Sequence, residues 1–305
     1  MKTVLITGVA GFLGRYAARE FLGDGWRVVG IDDVPPENAP RGVEFQRMHL
    51  PTSELATLLS NTTPEVCIHA AGRASVAFSL SEPAADFRDG VALTFELLDT
   101  LRRHAPHCRF ILLSSAAVYG NPVTLPILET HATLPLSPYG WHKRQSELVV
   151  EEFTRIYAQP ALAVRIFSAY GPGLRRQVVW DICERTLATG RLTLRGTGEE
   201  SRDFIHGADV ARALALLAVH APADGEIYNL AAGRETTIRE LATSLLFHLG
   251  STCQPEFDGH ATPGDPRNWR ADITRLSGLG YVPATTLEEG LRSVALWCLA
   301  EMGKR

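Results

Sequence analysis

Methionine and cysteine are scarce in this 305-residue chain, at three and five residues. Cys67, Cys108, Cys183, Cys253 and Cys298 are scattered, odd in number, and form no C-x-x-C pair. That spacing excludes a disulfide framework and a cysteine zinc site, and predicts reduced, buried thiols in a cytoplasmic protein. Ten histidines are equally dispersed, with no H-E-x-x-H or similar ligand pair, so no metal is expected. Blocks of like charge are absent: Arg102-Arg103 and Arg175-Arg176 are only pairs, read as solvated faces. With a net charge of -4, a nucleic-acid partner bound through a basic surface is excluded. No apolar run reaches membrane-spanning length; Leu214 to Val219 is short and lies in a helical pattern. The first eight residues are too short and too soon broken by Gly8 to read as a signal peptide. No internal repeat or low-complexity segment is present.

What is there is an ordinary globular composition, 45% hydrophobic and 21% charged, long enough for a large core or two domains. The amino-terminal half alternates strand and helix. Thr3 to Thr7 is a β-branched apolar run, read as a buried parallel strand. Gly8-Val9-Ala10-Gly11-Phe12-Leu13-Gly14 follows, then helical periodicity over Arg15 to Leu22, then a strand over Val28 to Ile31 ending at Asp32-Asp33. In such a βαβ unit Gly8 makes the tight turn, Gly11 lets backbone approach a pyrophosphate, and Gly14 lets the helix pack against the strand. Free N–H groups at the helix start then face the phosphates. An acid at Asp32 or Asp33 accepts hydrogen bonds from the adenosine ribose and repels a 2′-phosphate, favouring NAD over NADP.

The alternation continues. Glu65 to His69 reads as a strand running into Ala70-Ala71-Gly72, small residues that let backbone pass beside a cofactor. Ala84 to His104 has long helical periodicity. Arg109 to Leu113 is a strand that delivers Ser114-Ser115 to its carboxyl end, where open parallel sheets bind ligands. Pro135 to Pro138 is a loop, and Tyr139 begins a helix that runs through Phe153 towards Tyr157. Ala163 to Phe167 is a further strand. Tyr139 and Lys143, four apart, share a helix face. A lysine charge near a phenol favours the phenolate and makes tyrosine a usable base towards an alcohol. Alone, the pair reads first as an aromatic ring packed on a lysine stem.

After Phe167 the pattern loosens. A helix is expected over Val179 to Thr189, short strands over Leu192 to Leu194 and Arg202 to His206, and helices over Ala208 to His220, Thr237 to Leu249 and Leu287 to Ala300. Glu226 to Ala231 is expected to return to the main sheet. The expected fold is therefore α/β, a doubly wound parallel-sheet Rossmann domain with a smaller, mostly helical substrate-binding lobe. Residues 1–167 form the first, with 203–232 returning to its sheet. Residues 168–202 and 233–305 form the second.

These segments, with Ser114-Ser115-Ala116-Ala117-Val118-Tyr119-Gly120, Ser137-Pro138-Tyr139-Gly140-Trp141-His142-Lys143, Arg165 to Gly173 and Tyr228-Asn229-Leu230-Ala231, resemble the extended short-chain dehydrogenase/reductase family over essentially the whole chain. The nearest group is that of the NAD-dependent nucleotide-sugar epimerases, dehydratases and 4-keto reductases. The resemblance implies a hydride-transfer site with NAD as cofactor and a nucleotide-diphosphate sugar as substrate. Tyr139 would be the acid/base at the sugar 4-hydroxyl, Lys143 would lower its pKa and bond the nicotinamide ribose, and Ser115 would bond the same oxygen. Gly8, Gly11, Phe12, Leu13, Gly14, Asp32, Asp33, His49, Leu50, Ala70, Ala71, Gly72, Ser114 and Ile166 would contact the cofactor. Arg202 would hold the diphosphate, its alternative being a salt bridge to Asp203 or Asp209. Ser75 and Ser168 fall where relatives touch the sugar or its phosphates, and ordinary loop capping explains either as well. Trp269 lies near the position that gates sugar size, or is a packed core tryptophan. The family also implies a homodimer through a four-helix bundle of the Ala84–His104 helix and the one following Tyr139.

Departures from the family narrow the reaction. Dehydratases carry an Asp-Glu pair where this chain has Ala116 and Ala117, and epimerase-reductases of the GDP-fucose synthase type place a cysteine at Ala117. Neither chemistry is available to two alanines. What is left is 4-epimerisation, which regenerates its cofactor in place, or reduction of a 4-keto-6-deoxysugar with NAD(P)H. The acids at Asp32-Asp33 favour the epimerase. A non-catalytic dinucleotide-binding regulator is a third reading, set against the intact Tyr139, Lys143 and glycines. His49 stands where relatives place an acid at the adenine. Ser168 replaces an asparagine and Thr262 an arginine, both in diphosphate recognition.

Overall fold

The computed structural model describes residues 1–260 and 266–302, so Thr262 lies outside the described residues. The chain runs β1 (Thr3–Thr7), α1 (Phe12–Gly23), β2 (Arg27–Asp32), β3 (Glu44–Arg47), α2 (Glu54–Thr62), β4 (Val66–His69), α3 (Val76–Ser81), α4 (Pro83–Phe87) and α5 (Leu93–His104). It continues with β5 (Arg109–Ser115), α6 (Pro138–Tyr157), β6 (Ala161–Ile166), β7 (Ser168–Tyr170), α7 (Gln177–Thr189), β8 (Thr193–Leu194), β9 (Ser201–His206) and α8 (Gly207–His220). The last elements are β10 (Asp224–Leu230), β11 (Glu235–Thr237), α9 (Ile238–His248), β12 (Glu256–Phe257), α10 (Thr274–Ser277) and α11 (Leu287–Met302).

Seven strands form one sheet in the order β10-β6-β5-β4-β1-β2-β3, every neighbouring pair parallel. Strand side chains alternate between faces, and both faces of the central strands β1, β4, β5 and β6 are buried, so these strands are mostly apolar. In β1, Val4 and Ile6 enter the core shared with Ala17 and Phe21 of α1 and Leu214 and Leu217 of α8. Leu5 between them enters the opposite core, with Leu59 of α2, Leu97 and Leu101 of α5 and Phe153 of α6. This is the doubly wound Rossmann arrangement expected from the sequence. Strand order reverses between β1 and β4, and crevices at such a reversal, outside the carboxyl ends of the strands, are where open α/β sheets bind ligands.

β10 pairs with β6 at the edge of the main sheet, as expected for Glu226 to Ala231. A third core lies beyond it, where Trp180 and Ile182 of α7, Leu245 of α9 and Leu291 and Val294 of α11 meet. This region carries more strand than the sequence suggested. β7 pairs parallel and β11 antiparallel with β9, while β8 and β12 form a parallel pair. The Ala84–His104 helix is not uniform. A π-helical turn over Arg88–Ala92 joins α4 to α5. Such one-residue insertions in a helix are often found at functional sites.

All five cysteines are free thiols, four of them buried. No helix among the described residues is long and apolar enough to cross a membrane. None of the described His, Cys, Asp and Glu side chains form a group of three or more placed to hold a metal.

Candidate active site

The first βα turn is shaped by backbone proximity. Gly8 has φ +68°, a conformation that a side chain disfavours, and a Cβ there would stand 2.7 Å from the Ala71 nitrogen. A Cβ on Gly14 would stand 2.1 Å from the Gly8 carbonyl oxygen. Only hydrogen fits at either place, so the start of α1 presses onto the strand end. Gly11 caps α1 without any side-chain hydrogen bond, which leaves the N–H groups of the first turn, Phe12 and Leu13 included, facing outward. Leu13 packs on the core and Phe12 stacks edge-on to Tyr16 at 5.2 Å.

Asp32, the last residue of β2, is fixed beside this turn. Its carboxylate accepts from the Ala10 N–H at 2.9 Å and from the Asp33 N–H at 2.9 Å. Asp33 and His49 are exposed and 3.6 Å apart. Leu50 packs against the second core. Ala70, Ala71 and Gly72 form the loop after β4, with the Ala71 N–H donating to Thr7 Oγ1 at 3.3 Å. The donor set fits a dinucleotide: free helix-start N–H groups for a pyrophosphate and a carboxylate about one strand away for a ribose.

Ser115 ends β5 in register with Ile166, the end of β6. Its Oγ accepts from the Ala117 N–H at 3.1 Å, capping a short 3-10 turn over Ala116–Val118. α6 starts at Pro138, one residue before the expected start, with Ser137 as its cap. Gly140 lets the two approach, because a Cβ there would be 2.7 Å from the Ala117 carbonyl oxygen. The result brings the Tyr139 phenol towards the Ser115 hydroxyl, near enough for that hydroxyl to favour the phenolate. The Lys143 ammonium donates to the Leu113 carbonyl at 2.8 Å and lies 5.9 Å from the centre of the Tyr139 ring. Structure therefore unites Ser115, Tyr139 and Lys143, residues drawn from two elements.

Electrostatically the pair differs from expectation. Burial raises the Tyr139 phenol above its ordinary value, and the influences that lower it are the Ser115 hydroxyl and the Arg176 guanidinium, not Lys143. Lys143 is itself pulled down to about 8 by burial, against the opposing charges of Asp86 and Glu147. Removing water from both groups outweighs the mutual attraction inferred from helical spacing alone. Beneath them, His69 is held neutral, at about 3, by burial and by the Lys143 charge, and its Nδ1 lies 2.8 Å from Thr7 Oγ1.

Behind this face is a polar network that the sequence did not reveal. Ser114 Oγ donates to Glu147 Oε1 at 2.7 Å, so the hydroxyl is spent beneath the site. Arg165 holds both oxygens of Glu147, at 2.9 and 2.8 Å, all of it buried. Glu147 lies eight residues after Tyr139 on α6, a helical spacing that could have marked it, but its partner on β6 is visible only in three dimensions.

The proposed substrate residues lie on separate segments. Arg202 stacks on the Trp269 ring at 5.5 Å and donates to the Ser201 carbonyl at 2.8 Å. The Asp203 carboxylate accepts from the Ala232 and Ala271 N–H groups, and Asp209 is paired with Arg212. Trp269 is the packed tryptophan of the alternative reading: it is buried against Phe167, and its indole N–H donates to the Gly120 carbonyl at 3.1 Å. Its ring lies beneath the Arg202 guanidinium. Ser75 caps α3, accepting from the Phe78 N–H at 3.2 Å, which is the capping role. Ser168 opens β7, half-buried and paired with Phe204 of β9.

Known proteins resemble this chain. Residues 4–231 match the NAD dependent epimerase/dehydratase family. The chain is 32% identical to the UDP-glucose 4-epimerase of Mycolicibacterium smegmatis, over 95% of this chain and 96% of that protein. It is 29% identical to a putative UDP-glucose 4-epimerase of Methanocaldococcus jannaschii, over 96% and 97%. The crystal structure of UDP-glucose 4-epimerase with UDP-glucose from Thermotoga maritima superposes with a TM-score of 0.90 at 30% identity, covering 98% of this chain and 99% of that one. With a glycine turn, a strand-end serine and a Tyr-x-x-x-Lys helix in one crevice, and a family match across three quarters of its length, the chain belongs to the NAD dependent epimerase/dehydratase family.

Proposed function

We propose that this protein is an NAD-dependent UDP-sugar 4-epimerase of the UDP-glucose/UDP-galactose type. The observation that carries the reading is Ser115 at the carboxyl end of β5 beside Tyr139 and Lys143 of α6, with the Lys143 ammonium 5.9 Å from the Tyr139 ring and bonded to the Leu113 carbonyl. The names of the relatives support the sugar nucleotide. Residues 1–167 with 203–232 hold the cofactor, and 168–202 with 233–305 hold the sugar nucleotide, Arg202 at its diphosphate.

Tyr139 Oη takes the proton of the sugar 4-hydroxyl, and the Ser115 hydroxyl holds the same oxygen in line. Lys143, tied to the Leu113 carbonyl, keeps a cation beside the ribose and the phenol. The glycine turn and Asp32 would hold NAD, which would supply a reversible hydride acceptor at C4. Between the two hydride transfers the 4-keto sugar turns in the site, and Tyr139 returns its proton to O4 on the new face. Ala116 and Ala117 offer no acid or base beyond C4, so elimination does not compete. Asp32, fixed beside the pyrophosphate turn, disfavours a 2′-phosphate.

Purified protein given UDP-glucose should form UDP-galactose without net consumption of NADH. Stoichiometric loss of NADPH with a 4-keto sugar, and no interconversion of the two hexoses, would instead establish the reductase. A homodimer through α5 and α6 belongs to the same proposal. Exposed Phe95, Leu148, Ile156 and Tyr157 on those two helices support it, since apolar surface of this kind marks interfaces. Sizing at micromolar concentration should give twice the monomer mass.

A further inference from the structure

A carboxylate that is to hold ribose hydroxyls must be fixed without spending its acceptors. Asp32 meets that condition through backbone donors, the Ala10 N–H on Oδ2 and the Asp33 N–H on Oδ1, both at 2.9 Å. Each oxygen keeps a lone pair for a hydroxyl. The donors themselves are held by arginines. Ala10 lies in the glycine turn, and its carbonyl accepts from Arg15 Nε at 2.7 Å. Arg15 is the fourth residue of α1, and its Nη2 donates to the Asn38 carbonyl. On the other flank Arg47, the last residue of β3, donates through Nε to the Asp33 carbonyl at 3.2 Å, and the Met48 N–H donates to the Asp32 carbonyl at 2.9 Å.

These guanidinium contacts all go to backbone carbonyls and leave the Asp32 carboxylate free. A guanidinium carries its donors in a rigid plane, so one side chain can fix two carbonyls at a set separation. Arg15 thereby joins three pieces of chain: the first turn of α1, the glycine turn, and the segment that leaves Asp32 for β3. That segment has little of its own to hold it. Pro36–Asn38 forms a single 3-10 turn with no buried residue. Its backbone bonds are local, from the Asn38 N–H to the Pro35 carbonyl and from the Ala39 N–H to the Pro36 carbonyl.

We propose that Arg15 is a positioning residue for the cofactor: its two carbonyl hydrogen bonds latch the Pro36–Asn38 segment to the glycine turn, close the adenosine side of the dinucleotide site and slow the release of NAD. The inference rests on the reading of the glycine turn and Asp32 as that site. An enzyme that oxidises and then reduces the same sugar has to keep its cofactor through the cycle. A latch at the adenosine end retains it without touching the reacting carbon.

The test follows release of radiolabelled NAD from the full chain after a chase with excess unlabelled NAD. The Arg15 side chain is exposed, so its replacement leaves the cores intact. Arg15→Met keeps the stem and removes the donors. It should release NAD on the order of tenfold faster, the scale of one hydrogen bond to a charged group lost. Arg15→Lys keeps the charge but not the fork, and should release NAD nearly as fast as Arg15→Met. Arg27→Met removes another arginine, one paired with Glu44 between β2 and β3, and should release NAD at the native rate. In hydrogen exchange, the Asn38 and Ala39 amides should gain protection when NAD binds the native chain, and lose most of that gain in Arg15→Met. A native release rate in Arg15→Met overturns the proposal. So does full recovery by Arg15→Lys, which would make Arg15 a bare charge, or equal acceleration in Arg27→Met, which would make the effect one of general stability. Failure of the underlying reading would show separately, as a native chain that retains no NAD at all.

Discussion

The glycine turn and the Tyr139–Lys143 helix start both lie at the carboxyl edge of the sheet but are built by opposite means. At the turn, function is prepared by what is missing. Gly8 and Gly14 let backbone close to distances that no side chain allows, and N–H groups are left unspent. On α6, function is prepared by what surrounds two ionisable side chains. Burial, and not their mutual attraction, governs where Tyr139 and Lys143 titrate. A backbone-built site is sensitive to volume and indifferent to pH, whereas a site built from buried charges is the reverse.

The sharpest way to separate the halves is Tyr139→Phe. Loss of the acid/base should cut kcat by about 10²- to 10⁴-fold while bound NAD is retained, read by turnover and by absorbance of released cofactor. Next in size is the support beneath the helix. Glu147→Ala strands the buried Arg165 charge and should cost about 3–5 kcal/mol in denaturant unfolding, far more than loss of an exposed pair. A pH measurement then isolates the lysine. With its folded pKa at about 8, below the ordinary 10.5, Lys143 is disfavoured as a cation on folding. The unfolded chain holds that proton more tightly, so its contribution rises between about pH 8 and 10.5 and is unfavourable below. Lys143→Met should therefore show its largest relative gain in stability below pH 8. That gain should shrink on the order of 2 kcal/mol as pH rises through this window, after discounting for partial exposure. The smallest effect is expected at the turn: Gly14→Ala should cost about 1–3 kcal/mol by overpacking and lose NAD on dilution, with no displacement of the pH profile. If it did displace the profile, the two halves would not be separable in this way.

Much of this architecture could be read from local pattern. β1 was recovered to the residue, and most other strands of the main sheet, with the α1, α6, α7, α8, α9 and α11 helices, to within a few residues. Their signal is a single periodicity sustained over a whole element. β3 escaped because Glu44–Arg47 is an exposed edge strand with one half-buried aromatic and no alternation to detect. α2 escaped because Glu54–Thr62 is short and buries only Leu55, Leu59 and Thr62. The π-helical turn at Arg88–Ala92 lies inside a helical pattern, and one extra residue per turn does not disturb composition.

For the candidate site the division follows range. Ser115, Tyr139, Lys143 and the glycines announce themselves because each depends on neighbours within a few residues: a strand end, a helix start, a tight turn. Arg165 with Glu147, Gly140 against Ala117, Trp269 beneath Arg202, and Asp86 with His142 depend on partners brought together across the sheet or between helices. Local sequence thus identified the fold class and pointed to the proposed reacting groups, since hydrogen-bonding pattern and side-chain chemistry are properties of short segments. The protonation of those groups was decided by folding, because burial and the charges of residues dozens of positions away exist only once the chain has closed around them.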